Sequence, residues 1–417
     1  MKQAIYSKID NNMFFKNISP SKSDCCGCSA CEQICRNHAI TMQEDEEGFL
    51  YPIVDSLLCI ECSACEKVCP MLHSDSVKNR IEDTKAYAAI NRNEETLQQS
   101  SSGGIFSAIS ISILEKGGVV YGAAFDNNLQ LYHIGVEDIR SLNKLRGSKY
   151  LQSQNRNVYS EIKEQLKAGR WVYYTGTGCQ VAGLKCFLRR PYSTLITSDL
   201  ICHGTPSHKV FDFIVSQMEH KYKGKVIKYS FRDKSINGWS CNSSSSNIQR
   251  KDGIKHIGYD PVMNSYFNAF ISNAMNRKTC YHCPFATVER TGDITLADYW
   301  GVKKYHAINN NYNGVSAILV NTENGEKLLD EIKEKITIIK TNIEWIADEN
   351  KNLTEKTTQP ISRDTFYQKL SNNPTALMNS FQRNKLKSYT IYHIKRICKH
   401  NACLFGILMK IRDLLCK

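Results

Sequence analysis

Nowhere along its 417 residues does the chain hold an apolar run approaching the ~20 residues that cross a bilayer. Its first twenty residues, MKQAIYSKIDNNMFFKNISP, lack the apolar core and small-residue cleavage site of a secretory signal. These two absences predict a cytoplasmic protein, where 18 cysteines would not persist as disulfides. Thiols in such number read as metal ligands, and spacing decides. Acidic side chains are the scarcer charge, 41 against 54 basic, for a net +13. Residues 1–75 reverse that balance at −5, leaving +18 on the remainder. A basic body points to anionic partners such as phosphate-bearing cofactors, acidic proteins or membrane surfaces. No nucleic-acid motif accompanies the charge, so nucleic acid is set aside. Low complexity is confined to residues 243–246, read as a loop, and no repeat appears apart from a cysteine pattern. The length exceeds the roughly 250–300 residues one core serves, so two or more domains are expected.

The cysteine pattern is the most specific feature. Cys25, Cys28, Cys31 and Cys35 follow C-x2-C-x2-C-x3-C, and Cys59, Cys62, Cys65 and Cys69 repeat it, with Pro70 after the last. In this spacing three close cysteines hold one 4Fe–4S cluster while the fourth reaches across to the other cluster. Cys25, Cys28, Cys31 and Cys69 are therefore assigned to one cluster, and Cys59, Cys62, Cys65 and Cys35 to the other. Short strands at 39–42 and 49–54 flank an acidic turn, giving an α+β two-cluster ferredoxin-like domain over residues 1–75. Small residues between the ligands let backbone N–H groups approach the cluster sulfurs. Arg36 stands where a proline usually follows the fourth cysteine, and Cys26 is surplus. Two zinc sites are the alternative, one the doubled spacing does not favour.

After a polar linker at 76–83 the chain alternates strand-like and helix-like stretches, as in an α/β body. Strands are expected at 85–90, 119–125, 129–136, 171–175, 195–201, 226–231, 316–320 and 336–339. Helices are expected at 105–115, 156–168, 180–188, 206–220 and 323–333. The body divides into 84–168 and 169–340, followed by a helical basic tail at 341–417.

Several loops carry chemistry. Ser102, Gly103 and Gly104 precede a helix, whose free N–H groups could cradle a phosphate or simply be capped. The turn 175–179 (TGTGC) and the segment 199–204 (DLICHG) each end a strand with a cysteine, where α/β folds bind ligands. Neither is a Rossmann fingerprint. Were those strands parallel neighbours, Cys179 and Cys202 would share one sheet edge, and Cys280 with Cys283 would complete four ligands. Three occupants stay open there: a third 4Fe–4S cluster, a zinc ion, or none, the thiols being merely buried. Lone His203 reads as structural before catalytic, and Tyr299 and Trp300 as core before ring-stacking.

Five motifs occur in order: SSGGIF (101–106), RGSKYLQS (146–153), TGTGCQVAGL (175–184), DLICHGTPS (199–207) and CYHCPFATVERTGDITLADYWG (280–301). Together they resemble the beta subunit family of coenzyme F420 hydrogenase/dehydrogenase, from about Thr84 to Gly301, with an N-terminal ferredoxin module as a common companion. Gly178 stands where the family often has Pro, and Ala297 where it often has Gly. The resemblance implies an oxidoreductase that passes electrons between 4Fe–4S clusters and FAD, and it favours iron over zinc at the four body cysteines. Relatives act on the deazaflavin coenzyme or on chlorophyll pigments, so the substrate stays open: a small organic molecule or a hydride carrier. The electron partner is then a ferredoxin or a hydride carrier. For the FAD pyrophosphate the candidates are Ser102, Gly103, Gly104, Lys149, Gly176 and Thr177. The competing function is an electron-transfer relay serving a partner subunit that holds the substrate chemistry.

Residues 381–417 carry nine Lys or Arg and one Asp. Ile391, Ile394, Cys398 and the stretch 404–411 form one greasy stripe on a helix. That stripe suits either a membrane surface or packing against protein.

Overall fold

A computed structural model describes residues 21–239, 243–308 and 313–382. The N-terminal strands are β1 (Ile40–Glu44) and β2 (Leu50–Val54), paired antiparallel. Their turn is built by Asp45, whose Oδ1 accepts from the N–H groups of Glu47 and Phe49, each at 3.0 Å. Gly48 completes it at φ +82°, a backbone that suits glycine.

The chain then lays down β3 (Lys85–Asn91), β4 (Val119–Phe125), β5 (Leu131–Val136), β6 (Val172–Thr177) and β7 (Leu195–Leu200). An antiparallel three-stranded excursion follows, of β8 (Lys225–Ser230), β9 (Ser245–Arg250) and β10 (Gly253–Ile257). The return strands are β11 (Ile294–Asp298), β12 (Ser316–Val320) and β13 (Ile336–Thr341). The large sheet runs β13-β3-β12-β11-β7-β6-β4-β5. Its centre, β11-β7-β6-β4, is parallel, and antiparallel strands close both sides. Central strands such as β12 (SAILV) are buried along their whole length, as residues with neighbours on both faces must be. The chain is thus a mixed α/β protein with an N-terminal ferredoxin-type module.

Most expected elements lie within two residues of their observed bounds. The helix 180–188 begins earlier, at Gly178, because Thr177 and Gln180 form a reciprocal capping box. The serine run read as a loop ends inside β9, since Ser245 pairs with Ser230 and Ser246 with Tyr229. The linker 76–83 carries two short 3-10 turns. Of the tail, the helices Ile343–Glu349, Arg363–Asn372 and Pro374–Ser380 are described. The greasy stripe lies outside the described residues. Among those described, no helix is long and apolar enough to cross a membrane.

The acidic module docks on the body and on the described part of the tail through specific pairs. Arg363, fully buried, grips Glu47 with two hydrogen bonds of 2.9 and 2.6 Å. Ser207 Oγ donates to the Glu47 carbonyl, and Lys209 Nζ donates to that of Glu46. Arg277 reaches further, donating to the carbonyls of Cys25 and Leu50 while its guanidinium lies 4.0 Å from the Tyr51 ring centroid. Cutting one partner from such a pair strands the other charge. Arg363→Met is expected to cost about 3–5 kcal/mol, read as a lowered thermal midpoint. A midpoint unmoved by the change would show the pair to be solvated.

Candidate functional site: a thiol-lined cavity at the sheet edge

Because β6, β7 and β11 are parallel neighbours, their carboxyl ends share one edge of the sheet. A cavity of about 650 Å³ opens there. Its wall takes the turn after β6, the segment after β7, the loop 283–286, the start of the helix Ile105–Glu115 and residues 145–153. Crevices at this edge are where α/β sheets bind ligands.

The four body cysteines meet in this wall. Cys179, Cys202, Cys280 and Cys283 all line the cavity, and each lies within electrostatic reach of others in the set. Burial raises the thiol pKa of Cys202 and Cys280 and pushes that of Cys283 up to about 12. For Cys179 contact with the Cys26 thiol is the larger cause and burial the next. A cavity that penalises bare thiolates accepts them once a cationic centre neutralises them, which fits an iron–sulfur group. Among the described residues no three His, Cys, Asp or Glu side chains close in as they would on one bound ion, and the N-terminal cysteines behave alike.

Hydrogen-bond chains hold the cysteine-bearing loops. Gln180 Nε2 donates to Ser153 Oγ at 3.0 Å, and Ser153 faces His133 Nδ1 at 3.0 Å. His133 Nε2 lies 3.0 Å from the carbonyl of Thr175, an atom that can only accept, so the proton sits on Nε2. Burial lowers the His133 pKa to about 4, keeping the ring neutral. On the far side, buried Asp199 accepts from Thr291 and Thr295 and pairs with Arg290 at 3.3 Å. Arg290 also donates to the carbonyls of Phe285, Thr287 and Leu200, tying the Cys283 loop to the end of β7. All of these residues except His133 stand inside the quoted motifs, yet their positioning role could not be read from them.

The phosphate candidates fare unevenly. Ser102 Oγ donates to the Val315 carbonyl, and the Gly103 N–H donates to Ser316 Oγ, both at 3.0 Å. A Cβ on Gly103 would lie 2.4 Å from the Ala89 carbonyl oxygen, so glycine is required there by packing. Gly104, at φ +79°, caps the helix that starts at Ile105, whose first N–H groups have no intrahelical acceptor. Lys149 lines the cavity, but its Nζ donates to the carbonyls of Lys144, Leu145 and Arg146, and burial pulls its pKa down to about 7. Gly176 and Thr177 line the wall, with the Thr177 hydroxyl engaged by Gln180 and Cys179.

Sequence reasoning missed Arg232. Its Nη atoms donate to Tyr150, Asp298 and the Trp239 carbonyl, while buried Nε has no acceptor among the described residues. Trp300 lies beside it in the cavity wall, stacked on Trp239 at 4.8 Å. Tyr299 is core, bonded to Thr341. His203 also reaches the wall, with Nδ1 held 3.1 Å from Asn352 Oδ1.

Residues 169–344 match the family described as the C terminus of the coenzyme F420 hydrogenase/dehydrogenase beta subunit. Residues 24–72 match the 4Fe–4S dicluster domain. The chain is thus an iron–sulfur protein of oxidoreductase type, related over residues 169–344 to the F420 hydrogenase/dehydrogenase beta subunit. The family match starts after the first two of the five motifs, contains the other three and runs past Gly301 to residue 344. No curated protein matches the chain. A chain in the xenon-derivatised F420-reducing NiFe hydrogenase complex from Methanosarcina barkeri is similar at 16% identity and TM-score 0.43, covering 71% of this chain and 94% of that one.

Proposed function

We propose that the chain is an FAD-dependent iron–sulfur oxidoreductase, with its flavin and a third 4Fe–4S cluster at the sheet-edge cavity. The observation that carries this reading is the cavity itself, where Cys179, Cys202, Cys280 and Cys283 share a wall with two helix N-termini. Bound there, the cluster would move single electrons and the flavin would pair them for two-electron transfer.

The residues suit those roles. The four thiols sit on loops fixed by Gln180, His133 and Arg290. Open N–H groups at Gly104–Phe106 and at the start of the helix Gly178–Leu188 favour phosphate oxygens. Arg232 Nε offers one unspent donor beside the face of Trp300, fitting an acceptor atom on a planar ring. Ser102, Gly103 and Lys149 act in this reading by shaping the wall, with Gly176 and Thr177 nearest a pyrophosphate. We place the module at residues 1–75, the body at 84–340 and the tail beyond. The module's clusters then connect the cavity to an electron partner, a ferredoxin or a hydride carrier. The substrate is a small organic molecule or that hydride carrier.

A relay serving a partner subunit is the second reading, favoured by the family's description as a beta subunit. Spectra separate the two. Purified anaerobically, an autonomous enzyme should hold FAD near one per chain, bleached by a two-electron donor without added protein. Repeated preparations with full iron and no flavin would leave the relay.

A further inference from the structure

The module holds two ligand sets, an inner one of Cys25, Cys28, Cys31 and Cys69 and an outer one of Cys59, Cys62, Cys65 and Cys35. Beside the outer set the chain puts large apolar side chains into solvent. Leu57, Leu58 and Ile60 are 93, 48 and 68% exposed, and Cys62 is exposed two residues on. The exposure belongs to a built turn. Asp55 Oδ1 accepts from the Leu57 N–H at 2.9 Å, and the Asp55 carbonyl accepts from the N–H groups of Leu58 and Cys59. Asn37 Nδ2 donates to the Leu58 carbonyl at 3.2 Å. The backbone is held while the three side chains enter no core. Clustered apolar groups left in water mark interaction surfaces.

The charge around this face has a sign. Residues 55–75 carry four Asp or Glu and one Lys. Asp55 and Glu61 are exposed. Two arginines near the outer set serve the body side. Arg36 lines a groove shared with Glu161 and Glu164, and Arg189 Nη2 donates to the Ala64 carbonyl at 3.4 Å. An apolar centre with an acidic rim is one half of a protein–protein interface, and it calls for a basic rim opposite.

We propose that the face at 57–60 docks a one-electron carrier protein whose redox group is ringed by Lys or Arg. This rests on the cluster assignment of the outer set and names its partner. A hydride carrier exchanges two electrons at once, whereas a 4Fe–4S cluster takes them singly, so the outer cluster matches a protein carrier. A carrier with an acidic rim would meet like charge here. One electron passes between the partner's redox group and the outer cluster, no bond is made or broken, and no proton moves.

The test takes the full chain, reduced anaerobically and freed of excess dithionite, and follows its oxidation by cytochrome c in stopped flow. Cytochrome c is the probe because its single haem edge is ringed by lysines, and the basic body repels it from other faces. Two variants are compared with the unmutated chain: Leu57→Ser with Ile60→Ser, and Glu61→Lys. Each should keep its iron and its outer-cluster EPR signal, since these side chains are exposed. For the unmutated chain the second-order rate should fall steeply with salt. The apolar double variant should slow it about tenfold at every salt concentration. Glu61→Lys should slow it about fivefold at low salt and little at high salt. Unchanged rates in both variants, with the outer-cluster signal intact, would overturn the proposal. A rate that rises in the apolar variant would overturn it too, showing that residues 383–417 or a second copy cover the face. An unmutated chain without the outer-cluster signal would instead remove the cluster assignment, and this docking face with it.

Discussion

Replacing Cys280 and Cys283 together by serine is expected to lower iron from about twelve to about eight per chain. The ferredoxin signals should survive. The two thiols come from one turn, the 3-10 segment Lys278–His282 and its C-cap, so the double change removes half of the proposed ligand set at once. Serine keeps the shape of each side chain but supplies a far poorer ligand for iron. The module's eight ligand-pattern cysteines lie on other segments, which is why their clusters should persist. Arg277 Nε, which reaches the Cys25 carbonyl from beside this turn, is left in place. An unmutated protein already at about eight irons, or one carrying stoichiometric zinc, would defeat the assignment.

Cys69→Ser should abolish the inner cluster of the module, not the one nearest in sequence. Cys69 lies in electrostatic reach of Cys25, Cys28 and Cys31. Cys35 packs in a small cluster with both Cys31 and Cys65. The inner set is the more buried: Cys28, Cys31 and Cys69 are buried and Cys25 half-buried, whereas Cys62 is exposed and Cys35, Cys59 and Cys65 are half-buried. The module signal that survives in Cys69→Ser should therefore belong to a solvent-facing cluster. A dissolved paramagnetic relaxer should broaden it strongly. A surviving signal insensitive to the relaxer would assign Cys69 to Cys59, Cys62 and Cys65.

Much of this site was legible because its chemistry is local. Eight cysteines repeat one spacing, and Cys179 and Cys202 each follow a buried strand, so parallel pairing of β6 and β7 brings them together. The split between an acidic module and a basic remainder was legible from charge, and the pairing of Glu47 with Arg363 of the tail is one physical form of it. What was not legible depends on contacts far along the chain. Ser102 and Gly103 resemble a phosphate loop, but their hydrogen bonds go to Val315 and Ser316. Lys149 is basic, yet its ammonium is engaged by the carbonyls of a neighbouring turn. Arg232 and Arg290 carry no local signature, because an arginine's role is set by what surrounds its guanidinium. The strand β9 was obscured by its opening serines, which pair with β8 through backbone groups that any residue offers.

In the proposed function two module clusters, a body cluster and a flavin form one electron-transfer unit in a single chain. Stepwise anaerobic titration with dithionite, followed by absorbance and EPR, counts the electrons that unit accepts. Each cluster takes one and a flavin takes two, so the account expects about five electrons per chain. A titration that ends at about two, with only the ferredoxin signals appearing, would contradict it.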